Sequence, residues 1–197
     1  SQTLLEKVAE PLAVMAHLTG SSYPRHELLY AWKMLLQNHP HDSICGCSVD
    51  EGHREMMTRF AKSQQVAESI AADSAAAVAA AVDTSGFDPE SARPFVVFNT
   101  SGHSRSGVVR TTVDIERRYF DHQAPHEKYE AFKEEYQTFD PEEWIVTDEG
   151  GKPVEANIEP LGPVFGYDLP DDRFRQPYWA FQVDVELYVK DVPGIGY

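Results

Sequence analysis

The sequence reads as a multidomain α+β chain. A three-helix antiparallel bundle is expected at residues 1–83, followed by the N-terminal portion of an antiparallel β-sandwich domain at residues 95–197. Three observations lead there. Apolar residues recur at steps of three and four through the first part, the signature of amphipathic helices. Beyond it, β-branched and aromatic residues alternate with polar ones, as in half-buried strands. Between the two lies "DTSGFDPESARP", rich in Gly, Pro, Ser and Asp, which reads as an interdomain linker over residues 84–94.

The first helix is expected from Leu4, Leu5, Val8, Leu12, Met15 and Ala16, with Pro11 kinking or dividing it. "TGSSYP" is a turn, and Pro24 suits the first turn of a second helix. Leu28, Leu29, Trp32, Leu35 and Leu36 form that helix's apolar stripe. It must end near Asn38, because Pro40 disfavours helical geometry at the residue before it. "SVDE" reads as a capping box, Ser48 as N-cap and Glu51 three residues on. The helix it opens carries a seam of Met56, Phe60, Ser63, Ala67, Ile70, Ser74, Ala77 and Ala81, running from bulky to small. Short turns between the helices favour an antiparallel bundle. In the second part, "FVVFN", "GVVRTTVDI", "PVEANIEPL" and "YWAFQVDVELYV" read as strands of a mainly antiparallel domain. "APHEKYEAFKEEYQTFDPEEW" reads as a short helix or surface insertion.

Composition narrows the partners. Hydrophobic residues make up 42% of the chain and aromatics 11%, so it folds. The formal net charge of −15 opposes binding to nucleic acid or anionic membranes. No apolar run is long enough to span a bilayer. "SQTLLEKVAEPL" lacks the features of a signal peptide and opens directly into helical periodicity, so it reads as a cut end. "LYVKDVPGIGY" stops just after a strand-like run; both ends suggest a piece of a longer protein. The two cysteines are one residue apart, where a disulfide would close a small, strained ring. Unpaired thiols fit a reducing, cytoplasmic setting. "NTS" at Asn99 is a glycosylation sequon only in a secreted protein.

The stretch "NHPHDSICGCS" gathers His39, His41, Asp42, Cys45 and Cys47 just before a helix N-terminus, where backbone N–H groups favour anions. Asp42 reads either as a turn residue satisfying local N–H groups or as a functional carboxylate. His41 reads either as a structural turn residue or as a metal ligand or general acid/base, its tautomer set by a neighbouring acceptor. His39 is less favoured, because Pro40 separates the two imidazoles, although the spacing does not exclude a shared metal. Cys45 and Cys47 make no zinc site alone, since structural zinc needs four ligands and no second pair exists. Gly46 is expected to permit a turn, with the thiols packed beneath the helix start. The remaining histidines, His17, His26, His53, His103, His122 and His126, show no ligand pattern. The acidic run Glu127 to Glu143 reads as a solvated surface. Tyr178, Trp179 and Phe181 either line a sugar-binding surface or form core, and the core reading is preferred.

Taken whole, "LLYAWKMLLQNHPHDSICGCSVDEGHREM" resembles the central segment of bacterial α-mannosidases of glycoside hydrolase family 38. His41, Asp42, Ser43, Ile44 and Gly46 match the family's order, and animal members carry a related "HHDAITGT"-like segment. "VFNTSGHSRSGVV" and "DVPGIGY" also look like the opening of that family's C-terminal β region. The resemblance covers most of the chain and is weakest through the acidic insertion.

This resemblance implies a zinc-dependent, retaining exo-α-mannosidase acting on terminal α-linked mannose of oligosaccharides. An N-terminal α/β-barrel domain would carry a His and two Asp ligands, one Asp also being the nucleophile. His41 matches the further zinc ligand from the helical domain. Asp42 matches the carboxylate that contacts mannose hydroxyls, and His39 stays a secondary candidate. Retaining glycosidases need two carboxyl groups, and zinc here would act as a template for vicinal hydroxyls. The implied partners are a mannose-containing oligosaccharide and the protein's own catalytic barrel. No segment of this chain resembles the barrel, so no catalytic residue is assigned in it. The chain alone is expected neither to bind zinc tightly nor to hydrolyse mannosides. Its oligomeric state stays open, a homo-oligomer included. Two competing readings are a noncatalytic carbohydrate-binding or interaction module, and a thiol-based redox protein using Cys45 and Cys47.

Overall fold

A computed structural model describes residues 1–88, 91–120 and 125–197. The expected linker includes residues 89 and 90, and the expected insertion begins at Ala124; these positions and His122 lie outside the described residues. The chain divides into two compact units.

The first unit comprises Ser1–Asp88, Pro94–Arg105 and Val192–Tyr197. Its opening helical run, residues 2–18, passes from an α-turn into a π-helical turn at Leu5–Ala9 and back to α-helix at Glu10–Leu18. Here the Glu10 N–H donates to the carbonyl of Leu5, five residues back. The wider turn places Pro11 in the first turn of the following segment, where its missing N–H costs nothing. The helix therefore absorbs Pro11 instead of dividing there.

A second helix spans Arg25–Leu36 and a long one Asp50–Ala80. The three share a core of Leu5, Ala9 and Ala13 from the first, Leu28, Ala31 and Leu35 from the second, and Ala67 and Ile70 from the third. Trp32 adds a polar clasp, its Nε1 donating to Glu10 Oε1 at 2.8 Å. Leu29 and Leu36, expected in the buried stripe, are exposed. The long helix buries Ser63, Ala67, Ile70, Ser74 and Val78. Val78, not Ala77, takes the last core position, because it has more apolar surface to remove from water. It packs with Leu12, Met15 and Ala16, and Phe98 covers that cluster.

"FVVFN" does not form a strand; only Asn99 pairs, in an isolated bridge to Gly196. The Asn99 side chain organises the loop that follows. Its Oδ1 accepts from the Ser101 amide and hydroxyl, and its Nδ2 donates to the carbonyls of His103 and Val192. These side-chain bonds join the backbone bonds between Asn99 and Gly196 and from the Ile195 amide to the Ser101 carbonyl in holding the loop. Gly194 approaches the facing loop so closely that a Cβ there would lie 2.6 Å from the His103 amide nitrogen. Asn99 is buried with every polar atom of its side chain engaged, so the sequon is not presented.

The second unit is built on Ser106–Asp191. It contains β1 (Arg105–Tyr119), β2 (Val146–Thr147), β3 (Pro153–Val154), β4 (Ala156–Asp168) and β5 (Gln176–Val192). β5 lies between β1 and β4, and β2 pairs with β3. β4 runs antiparallel to β5, with a register shift between Pro160 and Gly162 where Gly162 has φ +80°. Alternation along β5 sets Phe181, Val183, Val185 and Leu187 into one core, which the helix Pro125–Thr138 covers with fully buried Phe132. The acidic run is therefore not merely a solvated surface: Lys128 and Phe132, four residues apart, face inward while its carboxylates meet water. Tyr178 and Phe181 are core residues, whereas Trp179 is half-buried and its Nε1 donates to the Pro125 carbonyl at 2.9 Å.

Candidate functional site

The site segment begins where the second helix ends. The Asn38 amide donates to the Leu35 carbonyl, and its fully buried side chain donates through Nδ2 to the Met56 carbonyl at 3.0 Å. That bond ties the segment to the backbone of the long helix. Asn38 Oδ1 has no partner. Pro40, with φ −49° and ψ 143°, then turns the chain into a single helical turn, His41–Ile44.

Backbone hydrogen bonds close this turn. Gly46 N–H donates to the Ser43 carbonyl at 3.1 Å, and Cys47 N–H to the Asp42 carbonyl at 3.0 Å. Gly46 itself has φ +79°. This pair of bonds around a left-handed glycine is a Schellman motif, which satisfies carbonyls that a helical end leaves open. Gly46 thus forms the turn expected of it.

His41 and Asp42 stand on the outside of that turn. Their side chains are 93% and 71% exposed, and His41 Nε2 lies 3.3 Å from Asp42 Oδ1. Burial imposes little desolvation on either group, so both remain free to change partners. His39 is exposed as well, on the far side of Pro40 in sequence. Among the described residues, no group of three His, Cys, Asp or Glu is placed to hold a metal ion. His41 could therefore supply one donor to a metal, and among the described residues no further pair of donors is gathered beside it to make the set that zinc requires.

Two local expectations fail. Cys45 and Cys47 are exposed free thiols and do not pack beneath the helix. The long helix starts at Asp50 with Val49 as N-cap and no side-chain cap, so the Ser48–Glu51 capping box does not form. Ser48 Oγ is buried without a partner, its side chain set over Gly52, where a Cβ would lie 3.3 Å from the Ser48 Cβ. The helix thus starts one residue beyond the box's register, after the Schellman exit from the preceding turn. Asp50 and Glu51 still place negative charge in the first turn. Asn38 was not legible as the anchor of the segment. Its place two residues before Pro40 was a signal of helix termination, but not of burial against the third helix.

Comparison with known proteins agrees with this architecture. Residues 1–78 match the family described as "Alpha mannosidase middle domain", and residues 90–197 match "Glycosyl hydrolases family 38 C-terminal domain 1". A protein of Halalkalibacterium halodurans named "Putative mannosylglycerate hydrolase" is 38% identical over 200 residues, covering all of this chain and 21% of that protein. An α-mannosidase structure from Enterococcus faecalis V583 matches with a TM-score of 0.89 at 48% identity, over 98% of this chain and 21% of its own. A second Enterococcus faecalis structure, of a protein in glycosyl hydrolase family 38, matches with a TM-score of 0.86 at 46% identity, over 98% of this chain and 22% of its own. The chain spans about a fifth of the length of these relatives. With both of its parts matched in order, the chain belongs to glycosyl hydrolase family 38, as an α-mannosidase middle domain followed by the first C-terminal domain.

Proposed function

We propose that this chain is part of a zinc-dependent retaining exo-α-mannosidase that removes terminal α-linked mannose from oligosaccharides. In this reading, residues 1–83 are the central three-helix bundle, 84–94 the linker, and 95–197 the start of the C-terminal β-sandwich domain. His41 is one zinc ligand and Asp42 a carboxylate that accepts hydrogen bonds from mannose hydroxyls. The observation that carries the reading is the presentation of these two side chains, exposed and adjacent, on a turn whose backbone bonds are satisfied internally.

Bound zinc would template vicinal sugar hydroxyls and orient the ring. For that role His41 must be neutral, so that a ring nitrogen offers its lone pair. Asp42, beside it, accepts a proton-bearing ring nitrogen or a sugar hydroxyl but donates nothing while ionised. The nucleophile, the acid/base and the other zinc ligands would come from the protein's own catalytic barrel. The same reading includes a cytoplasmic location, a reducing setting that suits two thiols outside any disulfide framework.

The name of the 38%-identical relative favours a second substrate, mannosylglycerate, within the same chemistry. Parallel assays of a barrel-bearing protein on mannose oligosaccharides and on mannosylglycerate decide between them. Asp42→Asn in that protein is expected to retain zinc and to lower kcat/KM at least about a hundredfold, by removing an ionised acceptor from the sugar site. Unchanged kcat/KM would remove Asp42 from the site. Saturable sugar binding by the 197-residue chain alone would instead favour a noncatalytic binding module.

A further inference from the structure

Cys45 and Cys47 are the only cysteines of the chain, and both thiols are exposed. Between them sits Gly46 in the left-handed region, φ +79°. We propose that Cys45 and Cys47 form a reversible dithiol–disulfide site, oxidised by low-molecular-weight disulfides, and that ring closure dismantles the turn holding His41 and Asp42.

The spacing argues against a permanent bridge and for a labile one. A disulfide closed across one intervening residue is strained, and strained or exposed disulfides are the readily reduced, regulatory kind. Glycine at the intervening position gives the ring the backbone latitude that another residue would deny it. Remodelling is cheap on the helix side as well. Val49 is an exposed N-cap without a side-chain bond, and the Ser48 hydroxyl has no partner to lose. On the other side the cost falls on the site. Cys47 N–H bonds to the Asp42 carbonyl and Gly46 N–H to the Ser43 carbonyl, so rotation about Gly46 breaks the bonds that close the turn.

The chemistry balances with one reagent. A thiolate of the pair attacks a sulfur of the external disulfide, forming a mixed disulfide and releasing one thiolate. The second cysteine attacks its neighbour's sulfur and releases the other. The protein loses two protons and two electrons, and the reagent leaves as two thiols. The oxidation itself is independent of any sugar or zinc; only its consequence for activity rests on the proposed roles of His41 and Asp42.

The test treats the 197-residue chain with oxidised glutathione, blocks remaining thiols, and maps peptides by mass while following amide exchange. The expected product is a Cys45–Cys47 disulfide, reversed by dithiothreitol, with exchange at the Gly46 and Cys47 amides faster by about tenfold and the interior of Asp50–Ala80 unchanged. The His53 ring, whose Cε1 lies 4.0 Å from where a Gly46 Cβ would sit, gives an NMR signal that moves with the ring closure. Cys47→Ser is expected to stop at a stable mixed disulfide on Cys45 and to leave the amides protected. Persistently reduced thiols, separate glutathione adducts on both cysteines, or a disulfide without loss of protection at Gly46 and Cys47 would overturn the proposal. None of these readouts involves zinc or mannoside, so they stand apart from the test of the proposed function.

Discussion

Gly46 is the residue on which the His41–Asp42 turn depends. Its φ of +79° is costly for any side chain bearing a Cβ, while the space around it is open apart from the His53 ring. Gly46→Ala should therefore cost about 1 kcal/mol through backbone strain alone, seen as a lower urea midpoint at unchanged slope. A second prediction concerns Tyr119. Its hydroxyl is pushed above the ordinary tyrosine value, first by the bond it donates to Asp168 Oδ2 at 2.5 Å and then by burial, with Arg117 opposing. A group whose pKa is raised by folding contributes stability that is present below its unfolded value and lost as pH rises through the folded one. Stability should thus fall above pH of about 10, and Tyr119→Phe should reduce that dependence in pH-resolved denaturation. Of these features, His41, Asp42 and Gly46 were legible in the sequence because residue order alone carries them. The buried Asn38 was not, because its burial depends on where the second helix ends over the third.

Among the elements, the acidic helix Pro125–Thr138 shows how composition misleads. Its carboxylates suggest a wholly solvated segment, yet Phe132 is fully buried against Phe181, with ring centroids 6.0 Å apart. One aromatic at the right phase outweighs many exposed charges, because exposed carboxylates cost little and a buried phenyl ring gains much. Phe132→Ala should destabilise the second unit by about 3–5 kcal/mol, measured by chemical denaturation followed through Trp179 fluorescence. The long strands β1 and β5 were legible from alternation, and the three long helices from periodicity, whereas "PVEANIEPL" divides between β3 and the first part of β4, which lie in different sheets. The capping box failed for a reason periodicity cannot reveal: a motif fixes a local preference, but the Schellman exit from the preceding turn fixes the register of arrival. "FVVFN" failed as well: alternation marks a half-buried segment, but a ladder needs a facing strand, and here only Asn99 finds a backbone partner, in the bridge to Gly196.

As a whole, the chain carries a formal net charge of −15, and among the described residues no helix is long and apolar enough to cross a membrane. It spans about a fifth of its relatives' length. The family assignment was legible because its motifs lie in short contiguous stretches: the His41–Asp42 turn, and the two loops joined by Asn99 and Gly194. Which groups stand beside that turn in the folded chain was not, because a site is assembled from residues distant in sequence. Two further outcomes follow from the proposal that His41 supplies one ligand of several. The isolated 197-residue chain should retain no stoichiometric zinc after dialysis and show no aryl-α-mannosidase activity; retained zinc or measurable activity would contradict it. The most direct measurement is zinc content and aryl-α-mannoside turnover in a protein that joins this segment to its catalytic barrel, with and without His41→Ala. The account predicts that the variant folds, binds zinc at least about a hundredfold more weakly, and loses turnover in proportion. Full zinc occupancy with undiminished turnover in the variant would contradict it.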